Sequence, residues 1–259
     1  MRRRRLPTID PTMRILTFTQ IGSHHSNHNE DAFATAELSD DHRMIALVNG
    51  SAAGQKGYFT AALAAQLLEK ISSEMALRNF AERERRTTAQ LLRNVTRQLF
   101  EELGEQRARL GLNEQDLQLT LSLGVIDGQA RNAEFVVIGS SVISCDGDTI
   151  EFAQYAQPDY LGNHAGAGGF KTWWASHDKR VSCENCLDVS MATPGILTFE
   201  PFNHDPYRPV TEDELITFLL TERNDGPVEQ LFRRKMRYIE DKFGLIPTDD
   251  ISIIRAFVL

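Results

Sequence analysis

Asn29-Glu30-Asp31-Ala32 near one end of the chain and Thr248-Asp249-Asp250-Ile251-Ser252 near the other are the stretches from which the fold is read. Each borders a β-branched or apolar segment, so each places carboxylates at a strand end. Carboxylates gathered from strand ends far apart in sequence are the hard oxygen ligands a divalent cation requires. Two further strand ends carry turn signals without an acid. One is Asn49-Gly50, which follows Arg-Met-Ile-Ala-Leu-Val at 43–48, and the other is Thr193-Pro194-Gly195. A carboxylate at each would complete a cage, and neither has one.

The segments between these points set the architecture. Residues 13–20 alternate and are β-branched, 31–38 resume as a strand, and 43–48 form a nearly continuous apolar run expected of a buried strand. Helical spacing governs 54–77, with Phe59, Leu63, Leu67 and Ile71 on one face, and again 88–110, where Gly111 is the stop. The period then changes to two. Strands are expected at 118–127, 133–138, 142–145 and 149–153, read as one antiparallel meander with a hairpin turn at Asp146-Gly147. A glycine-rich stretch at 162–169 reads as a flexible surface loop, because it lacks the strand–loop–helix setting of a phosphate cradle. A strand at 186–192, helices at 211–223 and 226–242, and a closing strand at 251–258 complete the chain. Segregated helices and antiparallel strands give an α+β fold with two sheets face to face and a helical layer on each side. No repeat or linker divides it. The expectation is one domain over 13–259 and a disordered basic tip over 1–12, which carries Arg2 to Arg5.

Composition excludes several function classes. The chain has 259 residues, 41% hydrophobic and 25% charged, ordinary for a globular protein with a substantial core. A net charge of −8 argues against general nucleic-acid binding. No apolar stretch reaches the ~18 residues of a membrane span. The four arginines of the tip are not followed by the apolar stretch of a signal peptide. The three cysteines, Cys145, Cys183 and Cys186, read as incidental loop cysteines of a cytoplasmic protein. Cys183 and Cys186 also have the spacing of half a zinc site or a redox pair. Trp173-Trp174 and the tyrosines at 155–160 offer either an aromatic interface for a partner or a cover for the core edge.

The ordered set of motifs resembles the metal-dependent serine/threonine protein phosphatases of the PPM class (type 2C), across residues 14–258. Within that class it is most similar to compact bacterial members, through Gly22-Ser23-His24-His25 and Gly50-Ser51-Ala52-Ala53-Gly54. The resemblance implies a four-layer αββα sandwich. It also implies two Mg²⁺ or Mn²⁺ ions that clamp phosphate and activate a water for in-line attack. Carried over by position, Glu30 and Asp31 match the first acidic pair, Gly50 the glycine of the bridging Asp-Gly, and Asp249 with Asp250 the final pair. Asn49 stands where the bridging aspartate belongs. Ser140, after Gly139, stands where many members carry Gly-Asp, and Pro194 stands where another aspartate is expected. Ser26 takes the place of a phosphate-binding arginine found in many classical members.

An amide cannot offer two anionic oxygens to two dications, and Mg²⁺ sheds water only for carboxylate charge. The expectation is therefore a degenerate member, a pseudophosphatase that is catalytically impaired or inactive. Glu30, Asp31, Gly50 and Asp249 would be vestigial metal ligands, and no residue is expected to be catalytic. No cofactor is expected, or at most one weakly held Mg²⁺ or Mn²⁺. The implied role is binding or regulation in phospho-signalling, with a kinase or phosphoprotein as partner. The alternative is an active metal-dependent phosphatase with a remodelled site, in which His24, His25 and His28 replace the lost carboxylates.

Overall fold

The computed structural model describes residues 13–25, 27–50, 56–82, 86–153, 159–166, 168–202, 209–223 and 228–258. The basic tip, Ser26, Ser51 to Gly54 and the tyrosine at 155 lie outside them.

The strands are β1 (Met13–Gln20), β2 (Asp31–Glu37), β3 (His42–Gly50), β4 (Leu119–Asp127), β5 (Asn132–Ile138), β6 (Ser141–Cys145), β7 (Asp148–Phe152), β8 (Arg180–Cys183), β9 (Asp188–Ala192), β10 (Phe199–Pro201), β11 (Leu245–Pro247) and β12 (Ile251–Val258). The α-helices are α1 (Gly57–Glu82), α2 (Thr88–Leu110), α3 (Phe170–Ser176), α4 (Glu212–Leu220) and α5 (Leu231–Phe243). One five-stranded sheet has the order β1-β12-β9-β6-β7 and the other β2-β3-β4-β5-β8. The strand pairings within both are antiparallel.

The period-two pattern assigns each face. Met44, Ala46 and Val48 of β3 pack in a core with Leu68, Ile71, Leu91, Val95 and Leu99 of α1 and α2. The alternate residues Ile45 and Leu47 face the other sheet, where Ile143, Val189, Met191 and Ile254 meet them. A third core lies between β12, β9 and β6 and the inner faces of α4 and α5, including Ile251, Ile253, Leu219 and Ile239. The result is the α+β, four-layer αββα sandwich expected from the sequence.

Several local expectations need correction. Residues 118–153 do not form one meander. β4 and β5 belong to one sheet and β6 and β7 to the other, and the chain crosses between sheets at Gly139-Ser140, where Gly139 takes φ 95°. That left-handed conformation favours glycine and lets the chain leave one sheet without a strained side chain. The first part of the glycine-rich stretch packs against the helical layer, while Gly168 and Gly169 are exposed. Leu161–His164 forms a 3₁₀ turn, and Gly166 N–H donates to the Phe100 carbonyl of α2 (2.6 Å). The tryptophans are half-buried against the α1/α2 core. Trp173 lies 4.7 Å from the Phe100 ring and 4.4 Å from that of His177, and Trp174 lies under the Arg180 guanidinium. They cover the core edge. The cysteines are not incidental loop residues either. Cys145 and Cys183 end two strands and are joined in a disulfide, and Cys186 is free and buried.

Two cations are sealed under the C-terminal end of α4. Arg255, fully buried on the helix-facing side of β12, grips Asp188 with Nε (2.8 Å) and Nη2 (2.7 Å) and donates to the carbonyls of Thr221 and Glu222. Lys235 of α5, also fully buried, donates Nζ to the carbonyls of Phe218, Leu219 (2.9 Å) and Glu222 (2.7 Å). These carbonyls lack partners within their own helix and carry its negative dipole end. Burial, followed by the Arg255 charge, pushes the Lys235 amine down to about 7, against the opposing pull of Glu222 and Asp188. The unfolded chain therefore holds the proton more tightly, and stability attributable to Lys235 rises with pH between about 7 and the ordinary lysine value of 10.5. Urea unfolding across that range is expected to give a smaller rise for Lys235→Met than for the native chain, by up to about 1.4 kcal/mol per pH unit. Parallel pH profiles would show that Lys235 stays charged.

Candidate functional site

The acids quoted from the sequence meet at one end of the sandwich, where strands of both sheets terminate. Asp31 opens β2 and lies opposite Asn49, near the end of β3. From the other sheet come Thr193, directly after β9, and Asp249-Asp250, directly before β12. The chain after β1 returns through Gly22–His25 to the same corner. Ser23 and His24 N–H donate to the carbonyls of Pro247 and Thr248. Gly195 is required by close approach, since a Cβ there would lie 1.9 Å from the Asp250 carbonyl oxygen.

Both carboxylate oxygens of Asp31 are taken by uncharged donors. Asn49 Nδ2 donates to Oδ1 (2.8 Å), and Thr193 Oγ1 donates to Oδ2 (2.7 Å) across the two sheets. The Asn49 amide presents N–H, not oxygen, toward Asp31. Thr193 Oγ1 in turn accepts Ser252 N–H (2.8 Å). Asn29 Oδ1 accepts Asp31 N–H (2.8 Å), and its Nδ2 donates to Thr19. Burial pushes the Asp31 carboxyl up to about 7, opposed by the hydrogen bonds from Thr193, Asn49 and Ser252 and reinforced by the charge of Asp250.

The final acidic pair divides by role. The Asp250 side chain is 0% exposed and that of Asp249 is 40% exposed. Asp250 accepts the backbone N–H of Gly22 (2.9 Å) and of Glu30 (2.5 Å), so it ties the β1–β2 connection to β12. His25 Nδ1 lies 2.9 Å from Asp250 Oδ2, and its Nε2 lies 3.5 Å from Asp249 Oδ1. Burial disfavours the imidazolium, but the hydrogen bond to Asp250 and the charges of Asp250, Asp249 and Glu30 outweigh it, and the His25 pKa is raised. Glu30 is raised as well, by burial first, with His25 pulling it down and the two aspartates pushing it up.

Of the residues singled out from the sequence, Glu30, Asp31, Asn49, Gly50 and Asp249 come to this corner. Gly50 N–H donates to the Glu30 carbonyl (2.9 Å). Pro194 opens a 3₁₀ turn directly after Thr193. Ser140 sits at the sheet crossover, one residue before β6, whose Val142 pairs with Ala192 beside Thr193. His24 contributes its backbone, and His28 stacks on Tyr58 at 4.3 Å. The roles of Thr193, Asp250, Asn29 and Ser252 were missed. Their signal was proximity to the quoted motifs, and only the fold shows which way each side chain turns.

No family model matches the chain, and no curated protein matches it. Solved structures do. RsbX in complex with magnesium is 13% identical over 95% of this chain and 96% of its own, with a TM-score of 0.53. The serine/threonine phosphatase of S. agalactiae is 16% identical over 95% and 100%, with a TM-score of 0.59. The PP2C phosphatase domain of SpoIIE from Bacillus subtilis, with a fragment of its regulatory domain, is 16% identical over 95% and 64%, with a TM-score of 0.56. The fold is that of the PP2C-type serine/threonine phosphatases.

The expectation that no cofactor is involved is corrected by this likeness, since RsbX, of the same fold, was solved with magnesium. What the residues present here do not fit is a pair of cations bridged by one carboxylate. Asn49 directs N–H at Asp31 and is no carboxylate, and Pro194 brings no oxygen from its side chain. Among the described residues no group of three or more His, Cys, Asp and Glu side chains is placed to hold a metal ion. The arrangement visibly joins the sheets through Asp31 and Asp250. Thr193→Val leaves a buried carboxylate oxygen without its donor and is expected to cost about 1–3 kcal/mol, lowering the melting temperature by about 2–10 °C in calorimetry. Thr193→Ser keeps the hydroxyl and is expected to recover most of that loss. An unchanged melting temperature in Thr193→Val would show that the hydroxyl is not a tie between the sheets.

Proposed function

We propose that this chain is a catalytically impaired PP2C-type phosphatase homologue that serves as a binding or regulatory protein in phospho-signalling. The observation that carries the reading is the Asn49 amide bonded to Asp31 (2.8 Å), at the place where this mechanism needs a carboxylate shared by two ions. An amide cannot neutralise two dications or help them charge a water, so the nucleophile is not generated at neutral pH. The reading concerns this bridging chemistry and does not depend on whether the chain holds Mg²⁺. Within it, Glu30, Asp31, Gly50 and Asp249 are vestigial ligand positions, and Asn49, Ser140 and Pro194 are the lost ones. Residues 13–259 act as one domain, and we place it in the cytoplasm.

A protein partner, a kinase or phosphoprotein, fits this role. On α1, Leu77 and Phe80 are 72% and 85% exposed, large apolar surface that a partner would cover. Among the described residues no helix is long and apolar enough to cross a membrane. The alternative is an active metal-dependent phosphatase with a remodelled site, in which His24, His25 and His28 replace the lost carboxylates; His25 lies against Asp250 and Asp249, and His28 stacks on Tyr58.

The purified chain, assayed with aryl phosphate and a phosphopeptide in Mg²⁺ or Mn²⁺, is expected to give no turnover above an enzyme-free blank. The doubly substituted chain Asn49→Asp, Pro194→Asp is expected to gain at least about tenfold metal-dependent turnover over the native chain, since electrostatic terms of this kind carry orders of magnitude. Metal-dependent hydrolysis by the native chain would overturn the proposal.

A further inference from the structure

We propose that Cys145 and Cys183 form a redox-sensitive staple between the two sheets, opened by an external dithiol and closed again by oxidation. Cys145 ends β6 in the sheet that contains β12, and Cys183 ends β8 in the sheet that contains β3. Their disulfide, with Cα atoms 6.5 Å apart and a sequence separation of 38, is a covalent link from one sheet to the other. It stands at the end of the sandwich away from the carboxylate corner, since β6 begins near Thr193 and runs away from it. Among the described residues β8 is an edge strand paired with β5, and Val181 joins Cys183 in the core between the sheets.

The third thiol does not operate this bond. Cys186 is buried, and burial pushes its thiol up to about 11, with the Asp146 charge adding to the effect. It carries almost no thiolate near neutrality, and the thiolate is the attacking species. Attack must come from outside, at the half-buried Cys145 and not at the buried Cys183. One thiolate of the dithiol bonds to Cys145 Sγ, and the Cys145–Cys183 bond breaks. Cys183 leaves as a thiolate and takes a proton. The second thiol of the reagent then attacks the reagent sulfur of the mixed disulfide and releases Cys145 as a thiol. Two electrons and two protons pass to the protein, and the reagent leaves as a cyclic disulfide. In a reducing compartment, disulfides that do form are usually transient or redox-sensing.

The full chain, purified in air and alkylated after denaturation without reductant, is expected to carry one label, on Cys186, with the Cys145 and Cys183 peptides linked in mass spectrometry. Millimolar dithiothreitol applied to the native chain is expected to raise the labels to three and lower the melting temperature by about 5–15 °C, the scale for closing a loop of this length. Oxidised glutathione should restore both values. In Cys145→Ser, reductant should no longer move the melting temperature. Three labels in the air-oxidised chain would overturn the proposal, as would a bond that yields to dithiol only after unfolding, or a melting temperature unmoved by reduction.

Discussion

The hydrogen bond from Thr193 to Asp31 is the constraint around which this end of the molecule is organised. It runs from one sheet to the other, between a residue that follows β9 and the residue that opens β2. A carboxyl group withdrawn from water is costly unless its lone pairs are met. Here Thr193 meets one oxygen and Asn49 the other, while Asp250 repeats the device with two backbone N–H groups. Acids that could face a cation are thereby turned into ties between strands. The cluster keeps a structural purpose whatever it does chemically.

The persistence of the sandwich is intelligible on the same ground. Its three apolar cores lie between sheets and between each sheet and its helices, and their members are aliphatic and aromatic residues that owe nothing to the acidic corner. The buried Lys235 and Arg255 act far from that corner by satisfying carbonyls at and just beyond the end of α4. The cores therefore hold whichever residue stands at position 49, where the Asn49 amide meets the Asp31 carboxyl as a hydrogen-bond donor.

Much of the fold was legible because periodicity is a local signal. The strands at 13–20 and 251–258 and the helix at 88–110 coincide with their expected bounds, and the last has Thr87 and Gln90 as a capping box and Gly111 as its stop. What periodicity does not encode is partnership. Residues 133–145 read as successive strands of one meander because a tight Gly-Ser turn looks the same whether it makes a hairpin or carries the chain to another sheet. The short strand β8 and helix α3 were absent from the sequence reading, since four and seven residues give too few periods to stand out. In the site, the acid types were readable from sequence. Their division into the sealed Asp250 and the outward Asp249 was not, because adjacent residues at a strand entrance differ only in which way the backbone turns them.

The cysteines show the same limit from the opposite direction. Sequence spacing draws the eye to Cys183 and Cys186, three positions apart, yet β8 directs Cys183 toward Cys145 and leaves Cys186 alone in the inter-sheet core. Proximity in space depends on which strands of two sheets end together, and the crossover at Gly139 is what brings the end of β6 opposite the end of β8. The sandwich is thus joined between its sheets by two chemistries at its two ends. One end depends on hydrogen bonds to buried acids, whose strength varies with the protonation of those acids. The other depends on a covalent bond, whose existence varies with the thiol milieu.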